Sequence, residues 1–361
     1  MRQATLQGSV SMSWEAGTSV RAEWEKKMKY KVLLPQPIEE EARRILEEND
    51  LEIVQAKDPK PETVAPLMKD VHALVLRTGI QITRDLLEGA EQLLTISRTG
   101  GGVDNVDLAA ATEKGVIVTS SLGANTSSVI EHALSLILAL SKQLFLMDRE
   151  VRKGNFGIRY KNFPRDLQGR TLGVLGFGRI GSGLAQICHR SFQMKILAND
   201  DYLPEEVKNS YRSWAVFTSK EELFRNADIV TIHIPLTEET RGMVNATLLS
   251  LMKPDAFLVN TSRGGVIQEK DLIEALQKKA LAGAGLDVFE HEPLEPDNPL
   301  LQIDNVILTP HSAALTKECV VRMAVAGAER VVALLHGRMP EHIANPEVLN
   351  QEKWKKYFKL Q

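Results

Sequence analysis

Residues 172–201 read L-G-V-L-G-F-G-R-I-G-S-G-L-A-Q-I-C-H-R-S-F-Q-M-K-I-L-A-N-D-D, and few backbone geometries accommodate that order. An apolar run of strand length, 171–175, leads into Gly176, Gly178 and Gly181 at G-x-G-x-x-G spacing. A helical stretch follows at 182–191, with Leu184, Ile187 and Cys188 expected on one face. A second apolar run, 194–198, ends at Asn199, Asp200 and Asp201. The first glycine permits a tight turn, the second lets the backbone approach a pyrophosphate, and the third lets helix and strand pack closely. Arg179 and Ile180, at the start of the helix, would lie over that pyrophosphate, where free N–H groups and a partial positive charge favour phosphate. Asp200 lies 19 residues past Gly181, where an acid takes the ribose hydroxyls. A carboxylate there repels a 2′-phosphate, and Asp201 adds to the repulsion, so the expected cofactor is NAD rather than NADP.

At 361 residues the chain has the length of two ordinary domains, and 43% hydrophobic with 25% charged residues is a globular composition. A net charge of −3 with no basic block argues against nucleic acid as a partner. Cys188 and Cys319 make neither a disulfide framework nor a metal cluster, which suits a reducing cytoplasm. No apolar run reaches the ~18–20 residues that span a bilayer; the longest, 133–140, is interrupted by Ser135. Residues 1–29 are polar and irregular, lack a signal-peptide pattern, and read as a disordered extension or surface arm. Met28 is a candidate natural start.

From Lys31 onward, apolar runs alternate with helical stretches. Strands are expected at 31–34, 51–55, 73–76, 93–97 and 116–119, with helices at 39–49, 61–69, 83–89 and 106–114. After the glycine motif, further strands are expected at 229–234, 257–261, 283–288 and 306–309. A long helix at 127–142 is too apolar to lie on a surface and reads as packed between domains or subunits. Another, at 317–336, contains Gly327, a poor helix former, and would be capped by Gly337. This alternation signals an α/β fold with parallel sheets covered by helices. Ligands of such sheets bind at the carboxyl ends of the strands. Arg77, Arg98, Asp200, His233, Arg263, Asp287 and His311 all fall at or near expected strand ends.

Three of those ends carry dense chemistry. Residues 259–266 read V-N-T-S-R-G-G-V, residues 285–293 read G-L-D-V-F-E-H-E-P, and residues 308–313 read L-T-P-H-S-A. With the glycine motif, and with R-T-G-G-G-V-D at 98–104 and H-I-P-L-T at 233–237, they resemble the D-isomer-specific 2-hydroxyacid dehydrogenase family, including its phosphoglycerate dehydrogenases. The resemblance covers roughly 31–349. It implies two doubly wound parallel-sheet domains with a cleft between them. A flavodoxin-like substrate domain would span 30–122 and 312–350, and a Rossmann NAD domain 123–311. It also implies a homodimer, with the 127–142 helix near the interface.

The resemblance further implies roles that the chemistry supports. His311 would exchange the proton at the keto oxygen, since imidazole titrates near neutrality. Glu292 would hold its far ring nitrogen. Arg263 would clamp the substrate carboxylate with its planar fork, helped by backbone N–H groups around Gly101 and Gly102. Arg77 and Arg98 match positions that bind an anionic substrate; surface salt bridging is the alternative for both. The implied cofactor contacts also include Ile234, Pro235 and Thr237 on the adenosine side, with Thr261, Asp287, His311 and Ala313 toward the nicotinamide. His72, His132, His189, His336 and His342 match no family role. His233 would shape the cofactor loop, and Cys188 would be core.

Gly101 departs from the threonine common in phosphoglycerate dehydrogenases. The sequence runs to Gln361, and the regulatory domain that some of them carry is not expected in it. The expected activity is reversible hydride transfer between NAD(H) and a 2-keto or 2-hydroxy acid. 3-Phosphoglycerate, hydroxypyruvate, glyoxylate and branched or aromatic keto acids remain open as substrates. Outside that activity, an NAD-sensing corepressor-like binding protein is the alternative. A formate- or phosphite-type dehydrogenase fits Glu292 less well, because glutamine is typical there.

Overall fold

The structure is a computed structural model and describes residues 29–359. The expectation for 1–29 therefore lies outside the described residues, Lys29 excepted. The chain first lays down β1 (Lys31–Leu34), α1 (Glu40–Glu48), β2 (Glu52–Gln55), α2 (Pro61–Val64), β3 (Ala73–Leu76), α3 (Arg84–Glu88), β4 (Thr95–Arg98), α4 (Leu108–Glu113) and β5 (Ile117–Ser120). These strands pair in parallel in the order β2-β1-β3-β4-β5, the flavodoxin-like doubly wound order. Alternate residues serve opposite faces. Val32, Leu34, Ala73 and Val75 enter one core, and Leu33, Leu74, Leu76 and Ile96 the other. Both faces are thus buried, as is usual for an all-parallel sheet.

Then come α5 (Thr126–Ser141), α6 (Leu144–Arg152), β6 (Thr171–Leu175), α7 (Arg179–Phe192), β7 (Lys195–Asn199), α8 (Glu205–Tyr211), β8 (Ala215–Phe217), α9 (Lys220–Asn226), β9 (Ile229–Ile232), α10 (Ala246–Leu251), β10 (Phe257–Asn260), α11 (Glu269–Gln277), β11 (Gly283–Leu286) and β12 (Val306–Leu308). This second sheet is also parallel, in the order β12-β11-β10-β9-β6-β7-β8. Its strand order reverses between β6 and β9, the Rossmann switch point, and the glycine turn leaves β6 there. Helix α5 packs on this sheet: Ala133, Leu136 and Ile137 share a core with Leu172, Val174 and Val259.

The chain crosses between the sheets twice. Residues 121–125 lead from β5 to α5, and residues 309–316 lead from β12 to α12 (Lys317–Leu335). Helix α12 returns to the first sheet, where Ala324, Ala328 and Val331 meet Val32 and Val75. Gly327 has a packing reason: a Cβ there would lie 3.1 Å from Thr99 Cγ2, and the Ser97 hydroxyl donates to the Gly327 carbonyl at 2.9 Å. The helix can therefore lie directly on β4. Arg322 of α12 fastens that helix to the first crossing and the start of α5, donating to Ala124 O at 3.1 Å and to Ser128 Oγ at 3.1 Å. A last helix, α13 (Glu352–Phe358), adds Trp354 to the same core.

Some local expectations change. Residues 61–69 are not one helix but α2 followed by a 3-10 turn, Ala65–Asp70, because Pro66 has no N–H for an α-helical ladder. Ile187 is exposed, while Gly181, Leu184, Ala185 and Cys188 are buried, so the buried stripe of α7 follows i, i+3, i+4, i+7 and leaves Ile187 off it. Burial raises the Cys188 thiol to about 12, consistent with an inert core side chain. Among the described residues no single helix is long and apolar enough to cross a membrane.

Candidate active site

The glycine turn has steric reasons for each glycine. Gly176 sits at φ +92°, and a Cβ there would lie 2.7 Å from the His233 carbonyl. At Gly181 a Cβ would lie 2.0 Å from Gly176 O, so α7 begins hard against the turn. Gly178 has nothing within 4 Å of its missing Cβ and presents bare backbone on an exposed face. Arg179 is exposed and Ile180 half-buried at the helix start. Asp200 Oδ2 accepts the Phe177 N–H at 2.8 Å, and its Oδ1 accepts those of Tyr202 and Leu203 at 3.1 and 3.0 Å. The acid is therefore held at the lip of the turn, with Asp201 exposed beside it.

On the other side of the switch point, Pro235 and Thr237 are exposed and Ile234 is half-buried. The Thr240 hydroxyl donates to Pro235 O and accepts from Thr237 N–H, both at 2.7 Å, which fixes that loop. Thr261, after β10, is nearly buried, and its hydroxyl oxygen has no partner among the described residues. A bare-backbone turn at a helix start, a pinned carboxylate and an orphaned hydroxyl together fit a dinucleotide along these strand ends.

His233 backs the turn, pairing through Nε2 with the Thr231 hydroxyl at 2.9 Å. Burial holds its imidazole down at about 4. The unfolded value is near 6.5, so the neutral ring contributes stability that is whole above pH 6.5. That stability is lost as the pH falls toward 4, by on the order of 2 kcal/mol. Urea melts of wild type and His233→Gln across this window should diverge; parallel curves would refute the assignment.

The loops after β10, β11 and β12 meet. Asn260, fully buried, accepts the Ser262 N–H at 3.0 Å and donates to Arg263 O at 2.9 Å, an Asx-type turn that sets Arg263 at the strand end. A Cβ on Gly264 would lie 1.9 Å from the Phe289 carbonyl, so the first two loops touch backbone to backbone. The Phe289 N–H donates to Glu292 Oε1 at 3.0 Å. The other carboxylate oxygen, Oε2, is 2.7 Å from His311 Nδ1. Burial works against ionisation of Glu292, but the hydrogen bonds from His311 and Phe289, with the nearby charges of His311 and Arg263, hold its carboxyl below the usual value. A carboxylate on Nδ1 fixes the proton there and leaves Nε2, which has no partner among the described residues, for chemistry.

His311 itself has φ +50°, a left-handed backbone that costs a non-glycine residue about 1 kcal/mol. Asp287 offsets that cost. Its carbonyl accepts the His311 N–H at 2.8 Å. Its carboxylate accepts the Thr309 hydroxyl at 2.5 Å and the N–H groups of Ser312 and Ala313 at 2.9 Å each. Asp287 was expected against the nicotinamide; its side chain is wholly buried beneath the His311 loop. Ala313 is buried with it. His132, to which the sequence assigned no role, reaches this network from α5: its Nε2 lies 3.0 Å from Thr309 Oγ1 and 3.4 Å from Asp287 Oδ1.

The first sheet supplies the facing wall. Arg263 reaches across to Asp104, in the loop after β4, with Nε and Nη2 at 2.8 and 2.7 Å from the same oxygen. Gly102 lies under that guanidinium: a Cβ there would be 1.8 Å from Arg263 Nη2. A Cβ on Gly101 would meet only the Asn125 side chain, at 3.4 Å. The N–H groups of Gly101 and Gly102 have no partner among the described residues. Arg98 and Arg77 look alike in sequence but differ in space. Arg77 is paired with Glu39 at 3.0 Å. Arg98 donates to its neighbour Thr99 O at 2.7 Å, and its buried Nε has no partner among the described residues. Burial, then the like charge of Arg263, lowers it to about 10. Asp104 stood within the R-T-G-G-G-V-D stretch and was passed over. His132 could have been noticed as a lone titratable side chain facing inward from an apolar helix.

Residues 134–313 match the family described as D-isomer specific 2-hydroxyacid dehydrogenase, NAD binding domain. The D-3-phosphoglycerate dehydrogenase of Methanocaldococcus jannaschii is 40% identical over 324 residues, covering 90% of this chain and 61% of that protein. The chain spans a similar share, 58%, of the Archaeoglobus fulgidus D-3-phosphoglycerate dehydrogenase. The glyoxylate reductase of Korarchaeum cryptofilum is 36% identical over 328 residues, covering 89% of this chain and 98% of that one. Among solved structures, D-lactate dehydrogenase from Aquifex aeolicus, complexed with NAD and lactic acid, aligns with a TM-score of 0.79 and 30% identity, covering 87% of this chain and 99% of that chain. With both sheets, the glycine turn and this degree of likeness in hand, the chain belongs to the D-isomer specific 2-hydroxyacid dehydrogenase family.

Proposed function

We propose that the protein is an NAD-dependent D-2-hydroxyacid dehydrogenase that interconverts a 2-keto and a 2-hydroxy acid. The observation that carries this reading is the His311–Glu292 pair at 2.7 Å, with the Arg263 loop packed against the loop that holds Glu292. NAD(H), when bound, supplies or accepts the hydride. Gly176, Gly178, Gly181, Arg179 and Ile180 would hold its pyrophosphate, Asp200 its ribose, and Thr261 a polar group further along. His311 Nε2 would give a proton to the keto oxygen in reduction and take it back in oxidation. Glu292 keeps Nδ1 protonated and stabilises the imidazolium. Arg263 would clamp the carboxylate, and the Gly101 and Gly102 N–H groups would complete its pocket. Asp200 and Asp201 favour NAD over NADP.

Arg98 extends the reading to substrate class. A mostly buried guanidinium with no acidic partner beside Arg263 favours a second anionic group on the substrate, as in 3-phosphoglycerate or phosphohydroxypyruvate. Arg77, already neutralised by Glu39, favours the smaller hydroxypyruvate or glyoxylate as the second reading. NADH oxidation over a panel of keto acids tests both. Phosphohydroxypyruvate should be preferred, and Arg98→Ala should lower its kcat/KM by roughly 30-fold, equivalent to one charge-assisted contact of about 2 kcal/mol. Glyoxylate should change little. An unchanged substrate ranking in Arg98→Ala would discard the dianion reading, and inactivity on every keto acid would discard the enzyme.

Residues 30–122 with 312–350 form the substrate unit in this reading, and 123–311 the cofactor unit. A homodimer is the proposed assembly. Leu144, Phe145, Val151, Phe156, Tyr160 and Phe163 are all exposed in the segment just beyond α5, the kind of surface an interface would cover; sedimentation of the intact chain at two concentrations tests it. Free, buried Cys188 and Cys319 agree with a cytoplasmic setting.

A further inference from the structure

We infer that Asp104 is a positioning residue: it holds the Arg263 guanidinium from across the cleft so that its end fork alone is left for the substrate carboxylate. This rests on the proposed role of Arg263. A guanidinium has five N–H donors on three edges. Asp104 Oδ2 takes the Nε–H and one Nη2–H, at 2.8 and 2.7 Å. Ser262 O takes one Nη1–H at 2.8 Å. Each terminal nitrogen thus keeps one hydrogen, and those two form the parallel fork that matches a carboxylate bidentately.

The surrounding backbone supports the same geometry. Asn260 ties down the Arg263 carbonyl on one side. On the other, Gly102 lets the guanidinium lie against the loop that carries Asp104. The contact joins residues 159 apart in the chain, one following β4 of the first sheet and one following β10 of the second. It therefore exists only when the two sheets' strand ends stand at this separation. Asp104 also balances charge, since Arg98 and Arg263 repel each other and Asp104 offsets both. A neutral acceptor would keep the aim and lose that balance.

Only one oxygen of Asp104 meets Arg263, so an asparagine carbonyl can replace it. The test compares Asp104→Ala and Asp104→Asn with wild type. It measures steady-state reduction of the best keto acid and, separately, calorimetric binding of oxalate, an unreactive dicarboxylate, to the NADH-loaded protein. Asp104→Ala should lose about 100-fold in kcat/KM and about 30-fold in oxalate affinity, with NADH affinity unchanged. Asp104→Asn should recover to within about 5-fold on both. Wild-type values in Asp104→Ala, or equal losses in the two variants, would overturn the positioning role. If Asp104→Ala fails to fold, Asp104→Asn must still stay within about 5-fold, and a larger loss overturns the proposal. A wild type that reduces no keto acid would instead count against the function proposed for the whole site.

Discussion

Replacing His311 by alanine should lower kcat by about 10³-fold, within the usual range for loss of a positioned general acid–base, while NADH affinity stays within about 3-fold. The separation follows from the geometry. His311 pairs with Glu292 and belongs to the loop after β12, whereas the dinucleotide turn leaves β6 on the far side of β9. Alanine also removes a residue from a left-handed backbone position, so a companion His311→Asn variant, which tolerates that conformation, controls for loop distortion. Both should be equally inactive. Turnover near wild type in either would remove His311 from the mechanism; weakened NADH binding in both would make it a cofactor residue instead.

Gly181→Ala should weaken NADH binding by at least about 100-fold and lower Tm by several degrees. The added methyl would lie 2.0 Å from the Gly176 carbonyl, a backbone atom that cannot swing aside. Overpacking of this kind costs about 1–3 kcal/mol and pushes the start of α7 away from the turn. Gly178→Ala makes the informative contrast. Nothing lies within 4 Å of its new methyl, so it should melt like wild type while still binding NADH poorly, because the methyl stands where a pyrophosphate must approach. Fluorescence titration and thermal melting together read both variants. Wild-type affinity in Gly181→Ala would refute the steric account of the turn.

These glycines were legible in the sequence because geometry leaves little choice of residue there: a positive φ at Gly176 and a helix start pressed on a carbonyl at Gly181 admit almost nothing else. The strand alternation was legible for a similar reason, since both faces of each sheet are buried and their strands read as short apolar runs. Strand β8, three residues long with an exposed centre, gave no such signal. Helices α8 to α11 are short, and their apolar stripes are too brief to show a period. What no local pattern could carry was pairing. Arg77 and Arg98 each stand at the end of a strand, yet Glu39 takes one and no carboxylate takes the other among the described residues. Arg263 meets Asp104, and His132 meets Thr309 177 residues away. Such contacts are set by how the two sheets face each other, which spacing along the chain does not encode.

The double crossing of the chain has a mechanical consequence. Two bodies tethered at two nearby points can swing about the line joining the tethers and are stiff against other relative rotations. Here Arg322 of α12 donates to Ala124 O in the first tether, and Ser128 Oγ lies 3.3 Å from Thr316 Oγ1 in the second, which keeps the two close together. His311 lies within the 309–316 tether itself. Any swing about that line would move each residue in proportion to its distance from the tethers, and a residue inside a tether, as His311 is, would move least. In the mechanism proposed above, a proton held on His311 would then keep its aim while the two walls move relative to each other.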